Sequence, residues 1–141
     1  NKLQKAKVLI VGVGGLGSPI ALYLAGAGVG CLGLVDDDSV SISNLQRQVL
    51  YSEEELGKPK AVCASQRLTS LNSEIETRYY STRLTAENAD RIIQEYDIVV
   101  DGCDNFDTRY LINDICIEQR KPYVYGAICG FEGQVSVFNY G

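Results

Sequence analysis

The stretch KVLIVGVGGLG, from Lys7 to Gly17, constrains the fold more than any other part of the chain. Its opening run of valine, leucine and isoleucine reads as a strand buried on both faces, as in the middle of a parallel sheet. The glycines after it permit a tight turn, and LGSPIALYLAGAG is long enough for a helix that stops at Gly28 and Gly30. The alternation then repeats. CLGLVD from Cys31 is a second buried strand ending at Asp36, and Ser52, with acids after it, reads as a cap. Pro59 suits an early position in a helix running to about Leu71, IETRYYS alternates as a strand, and Thr85 can cap a helix through IIQEY. DIVVD from Asp97 is another buried strand. DNFDTRYLINDICIEQRK sets Phe106, Tyr110, Ile112, Ile115 and Ile117 roughly on one helical side. PYVYGA is a fifth strand and GQVSVFNY an antiparallel addition. The fold class is therefore α/β, a Rossmann-like doubly wound, mostly parallel sheet with helices on both faces, right-handed crossovers and an antiparallel C-terminal strand. At this length, residues 1–141 are expected to be a single domain.

Composition narrows the chemistry. A formal net charge of −5, with no basic run, argues against nucleic acid or an anionic membrane as the main partner. No apolar stretch reaches the length of a membrane span, and NKLQKAK lacks the apolar segment of a secretory signal, so a soluble cytoplasmic protein is expected. Five cysteines, Cys31, Cys63, Cys103, Cys116 and Cys129, are odd in number and never form C-x-x-C, which suggests neither a disulfide framework nor a zinc site. Most read as buried small hydrophobes. With no histidine present, chemistry must run on carboxylates, cations and backbone dipoles. The chain starts without methionine and ends abruptly at Tyr140-Gly141, so it is expected to be part of a longer one.

Five places carry candidate chemistry. GVGGLG, with Gly12, Gly14, Gly15 and Gly17, sits between strand and helix, where free N–H groups and the helix dipole attract phosphate; the alternative is a turn that only lets helix and strand pack closely. Asp36 follows at about the 20-residue offset at which an acid accepts ribose hydroxyls of NAD or ATP, while Asp37 and Asp38 read as a solvated turn. If NLQRQVL is a short helix, Asn44, Arg47 and Gln48 share one polar face while Leu45 and Val49 dock on the core; a water-facing surface helix is the alternative. Lys60, in GKPK, falls in a first helical turn where the dipole disfavours a cation unless an anion is bound, or it is an exposed lysine tolerating a weak penalty. Lys58 lies further from the helix and ranks lower. DIVVDGCDN brings Asp101 and Asp104 to the end of the strand neighbouring the first. Asp104 facing a triphosphate implies an intervening cation, with Mg²⁺ contact preferred over helix capping; Asp101 and Asn105 stay open. Cys103 has no base nearby in sequence and reads as buried.

Together GVGGLGSP, LVDDD, SNLQRQ, GKPK and DGCDN resemble the adenylation domain of the ThiF/MoeB/HesA family, relatives of the ubiquitin-activating enzymes, over nearly the whole chain from Lys7. SNLQRQ is far more specific than the glycine motif, and GSPIALYLAGAGVG leans towards the thiamine-pathway branch. The resemblance implies an adenylyltransferase that binds MgATP. The C-terminal glycine carboxylate of a small ubiquitin-like sulfur-carrier protein, of ThiS/MoaD type, attacks the α-phosphate and pyrophosphate leaves. On matching positions it implies that Gly12, Gly14, Gly15 and Gly17 hold phosphates, Asp36 the ribose, Asn44, Arg47, Gln48 and Lys60 the triphosphate, and Asp104 the Mg²⁺. Arg47, Lys60 and Asp104 would be the catalytic set. A homodimer is implied too, with an arginine from an arm that would precede these residues and zinc only if paired C-x-x-C motifs follow them. The rival readings are an NAD-dependent oxidoreductase domain, which leaves NLQRQ, Lys60 and Asp104 unexplained, and a non-catalytic partner subunit, which would be expected to have lost those residues.

Overall fold

The computed structural model describes residues 1–45, 50–103, 105–129 and 132–140. Six strands, β1 (Lys7–Val11), β2 (Cys31–Val35), β3 (Glu76–Tyr80), β4 (Ile98–Asp101), β5 (Tyr123–Cys129) and β6 (Glu132–Phe138), form one sheet in the order β3-β2-β1-β4-β5-β6. All neighbours are parallel except β5 and β6, the expected antiparallel addition. The helices are α1 (Lys2–Lys5), α2 (Gly17–Ala27), α3 (Lys60–Leu71), α4 (Ala89–Ile93) and α5 (Phe106–Gln119). Among the described residues no helix is long and apolar enough to cross a membrane.

The unbroken apolar runs of β1 and β2 are explained by two cores, one on each face. Val8, Ile10, Leu32 and Leu34 pack with Ala21, Ala25, Cys63, Ala64 and Leu68 of α2 and α3. Leu9, Val11, Cys31 and Val35 pack on the other side with Ile92, Ile93, Ile112, Ile115 and Cys116 of α4 and α5. Because side chains alternate along a strand, one apolar run supplies both layers. Leu9, Ile10, Leu32 and Leu34 are wholly buried, each contributing about 1.5–3 kcal/mol of transfer free energy. Cys31, Cys63 and Cys116 are buried free thiols, as their spacing suggests.

Two expectations need correction. On α5 the buried residues are Thr108, Ile112, Ile115 and Cys116, whereas Phe106, Tyr110 and Ile117 are exposed. These two sets lie about half a helical turn apart, so the helix has two apolar faces and only one meets the sheet. Thr85 does not cap α4 directly: Asn88 precedes the helix, and the Asn88 and Ala89 N–H groups donate to the Thr85 carbonyl. Ser52 does form a reciprocal capping box with Glu55, on a single 3₁₀ turn, Glu53–Glu55.

Register positions the crevice. Val11 pairs with Val35 on one side and Asp101 on the other, so β1, β2 and β4 end level. Gly12 N–H then donates to Val35 O at 2.7 Å and Gly102 N–H to Val11 O at 2.8 Å. At this point the strand order reverses, and α2 begins directly above it. Gly12, at φ 87°, lies so close to the β4 exit that a Cβ would stand 2.9 Å from Cys103 N, and a Cβ on Gly17 would fall 1.7 Å from Gly12 O. Only glycine fits both places.

Gly17→Ala is therefore expected to destabilise the fold by about 3 kcal/mol or more, since the obstructing atom is backbone. Gly26 lies within α2, where an added Cβ would meet nothing within 4 Å. It gives the opposite sign, with Gly26→Ala stabilising by about 0.5–1 kcal/mol. Urea unfolding of both variants checks the pair, and a mild Gly17→Ala would mean that the contact with Gly12 can relax.

Candidate nucleotide site at the strand ends

The glycine loop follows β1, and the N–H groups of Gly14, Gly15 and Leu16 donate to no acceptor among the described residues. They stand ahead of the first turn of α2, where unsatisfied donors and the helix dipole favour an anion. Val13 N–H is used differently, donating to Asp36 Oδ2 at 3.0 Å, while Asp38 N–H donates to Asp36 Oδ1 at 2.8 Å. Both carboxylate oxygens of Asp36 are thereby aimed, each with acceptor capacity left over. Burial raises the Asp36 carboxyl above its ordinary value, and the two N–H groups and the Lys60 charge oppose that rise. Asp37 and Asp38 are exposed, in keeping with a solvated turn.

Lys60 is not the exposed lysine of the blander reading. It is 4 % exposed, and its backbone N–H donates to Asp38 O at 2.9 Å. Among the described residues the ion pairs are Arg78–Glu76 and Arg109–Asp101, so this buried cation belongs to neither. Lys58 is exposed, which supports its lower rank.

Between β2 and α3 the chain makes a long excursion, fastened at its base. Ser39 bridges Pro59, Val40 N–H donates to Lys58 O and Gly57 N–H to Val40 O, both at 2.9 Å. Asn44 ends a 3₁₀ turn, Ile42–Asn44, and Leu45 packs on the core as its apolar position suggests. Arg47 and Gln48 lie outside the described residues, as do Val49 and the Asn44 side chain, so the shared polar face rests on sequence alone.

Asp104 also lies outside the described residues. Its neighbours are well defined. Asn105 takes the capping role, its side chain accepting from Thr108 N–H at 3.1 Å. Asp101 turns inward, 1 % exposed, accepting from Tyr123 OH at 2.5 Å and Cys103 N–H at 2.9 Å, with Arg109 Nε 3.9 Å away. Arg109 itself lies over the Tyr125 ring, 4.1 Å from its centroid. Asp101 thus fixes the turn that passes Gly12. Cys103 is half-buried, where the sequence suggests a buried thiol, and burial first, then the Asp101 charge, push its thiol up to about 12.

Two residues escaped the sequence reading. Ser18, wholly buried, and Tyr51, 8 % exposed, both donate to Val13 O, at 2.9 and 2.7 Å. Neither carries a sequence signal, because a serine opening a helix and a tyrosine after a leucine are ordinary.

The site brings together phosphate-seeking amides, an aimed carboxylate and a buried cation, and known proteins share this frame. The sulfur carrier protein adenylyltransferase of Thermus thermophilus is 52% identical over 140 residues, 99% of this chain and 52% of that protein. The probable molybdopterin-synthase adenylyltransferase of Porphyra purpurea is 49% identical over 140 residues, 99% of this chain and 37% of that one. The chain thus spans about a third to a half of the length of these relatives. Among solved structures, E. coli MccB with ATP superposes with a TM-score of 0.83 at 34% identity, covering 89% of this chain and 38% of MccB. MccB with AMPCPP and MccA gives 0.88 at 32%, covering 96% and 40%. The ThiF family profile matches residues 1–141, and the chain belongs to the ThiF family.

Proposed function

We infer that this protein carries out ATP-dependent adenylation of the C-terminal glycine carboxylate of a small ubiquitin-like sulfur-carrier protein of ThiS/MoaD type. The observation that carries the reading is Lys60, buried at the first turn of α3 and acting electrostatically on Asp36. A ribose-binding acid in a dehydrogenase needs no buried cation behind it, whereas a triphosphate beside the ribose does. The relatives named as adenylyltransferases and the ATP-bound neighbour support the same chemistry.

In this reading the free amides of the Gly12–Gly17 loop and the α2 dipole hold phosphate oxygens, and Asp36 accepts the ribose hydroxyls. Asn44, Arg47, Gln48 and Lys60 neutralise the triphosphate. The carrier's carboxylate forms a bond to the α-phosphorus as the bond to pyrophosphate breaks. A carboxylate is already a nucleophile, so no side-chain base is needed, which suits a chain without histidine; positioning and charge neutralisation supply the rate. Mg²⁺ fits this donor set. Asp101 is 1 % exposed and engaged with Tyr123, Cys103 and nearby Arg109, leaving Asp104 as the acid at this strand end that would share the ion with phosphate oxygens, where it would neutralise charge on the leaving group. The homodimer and the thiamine branch rest on family resemblance, and the cytoplasmic location on composition. The relatives' names favour molybdopterin synthase and sulfur carriers, and the thiamine branch rests only on GSPIALYLAGAGVG.

Calorimetric titration with MgATP and, separately, NAD tests the reading. MgATP should bind and NAD should not, and Arg47→Ala should weaken MgATP by about tenfold or more, the loss of a charge-assisted contact. Preference for NAD would overturn the reading in favour of a reductase.

A second test uses pH. The Asp36 carboxyl is raised by burial and lowered by Lys60, and the ribose is held by its ionised form. Lys60→Met therefore moves the acid limb of adenosine affinity to higher pH. An unmoved limb would detach Lys60 from Asp36.

A further inference from the structure

The segment bearing Arg47 ends at Leu50 and Tyr51, both buried in the α2–α3 core. An apolar core asks only for the tyrosine's ring; its hydroxyl would cost free energy there without a partner. The partner it has is Val13 O, 2.7 Å away in the glycine loop. Ser18 Oγ donates to the same oxygen at 2.9 Å, and Val13 N–H is held by Asp36. Val13 is thus gripped on both sides by three side chains from three different elements.

The geometry of a trans peptide gives this grip a direction. The carbonyl of Val13 and the N–H of Gly14 belong to one plane and point opposite ways. Drawing the carbonyl in towards Tyr51 and Ser18 turns the Gly14 N–H away from the core, and that N–H donates to no acceptor among the described residues. Within the connection from β2 to α3, Tyr51 and Asp36 are the described side chains that hydrogen-bond to the glycine loop.

We propose that Tyr51 is a positioning residue that fixes the Gly14 amide towards bound phosphate. The proposal deepens the adenylation reading and rests on it. Removing the hydroxyl leaves the ring packed but releases one of the two donors on Val13 O. Asp36 keeps its own bonds to the Val13 and Asp38 N–H groups, so the larger loss falls on phosphate.

The test is Tyr51→Phe in the full-length protein, with binding of MgATP followed by calorimetry and binding of adenosine followed by NMR at millimolar concentration. The expected result is a loss of about three- to tenfold for MgATP, the range of one hydrogen bond, with adenosine moved less than twofold. Ser18→Ala, which removes the other donor, should show the same pattern. An unchanged MgATP affinity in both variants, or equal losses for MgATP and adenosine, would overturn the positioning role while leaving the adenylation reading intact. Failure of the wild-type protein to bind MgATP would remove both.

Discussion

Everything at the strand ends depends on one backbone contact, the meeting of Gly12, Gly17 and Gly102. A Cβ on Gly102 would stand 2.9 Å from Gly17 N and 3.1 Å from Gly12 O, which means that the β1 exit, the α2 start and the β4 exit are in van der Waals contact through bare backbone. This closeness lets α2 begin directly over the sheet, with its positive end at the point where the strand order reverses. It also fixes where the β4 turn passes, through Gly102 and Cys103. Small residues continue the theme along α2, where Gly17, Ser18, Ala21 and Ala25 are the buried positions.

The two acids that end β2 and β4 are treated in opposite ways. Asp101 is enclosed, bonded to Tyr123 and Cys103 with Arg109 beside it, which makes it part of the scaffold. Asp36 is partly open, and its two N–H donors do not outweigh burial, so its carboxyl is raised above the ordinary 3.8. A raised carboxyl means that the folded state binds a proton more tightly than the unfolded chain. Stability from this group is full below 3.8 and declines as pH rises through the window up to the folded value, staying lower above it. At neutral pH the empty fold therefore carries a destabilised carboxylate at its crevice. In the adenylation reading, hydroxyl donors from a ribose would relieve it.

The strands were legible because a central parallel strand is apolar on both faces, and the glycine loop because no other residue permits the approach it makes. Which face of α5 meets the sheet was not legible: Phe106, Tyr110 and Ile117 are as apolar as Ile112 and Ile115, and periodicity cannot choose between two apolar stripes. Lys60 illustrates a different limit. GKPK reads as a helix start whose lysine is either a phosphate ligand or exposed, and only the pairing of residues 38–40 with 57–60 draws that lysine under cover. Tyr51 illustrates a third, since its meaning lies in an acceptor 38 positions away that no local pattern records.

That pairing also explains why so long an excursion can serve a precise site. In doubly wound sheets a strand usually reaches the next helix within about two to six residues, and longer connections without structure of their own are either functional or disordered. Here the chain between β2 and α3 leaves through Asp38, Ser39 and Val40 and returns through Gly57, Lys58 and Pro59, so its two ends are joined by backbone hydrogen bonds. Closing the base removes most of the conformational freedom that would otherwise scatter the residues within it, because loop entropy depends on where the ends are held. A second fixed point, Leu50 and Tyr51 in the core, then divides the excursion into two shorter loops, one of which holds SNLQRQ. A polar segment of that kind could not anchor itself by burial. Its described borders are apolar and packed on the core, Leu45 before it and Leu50 after it.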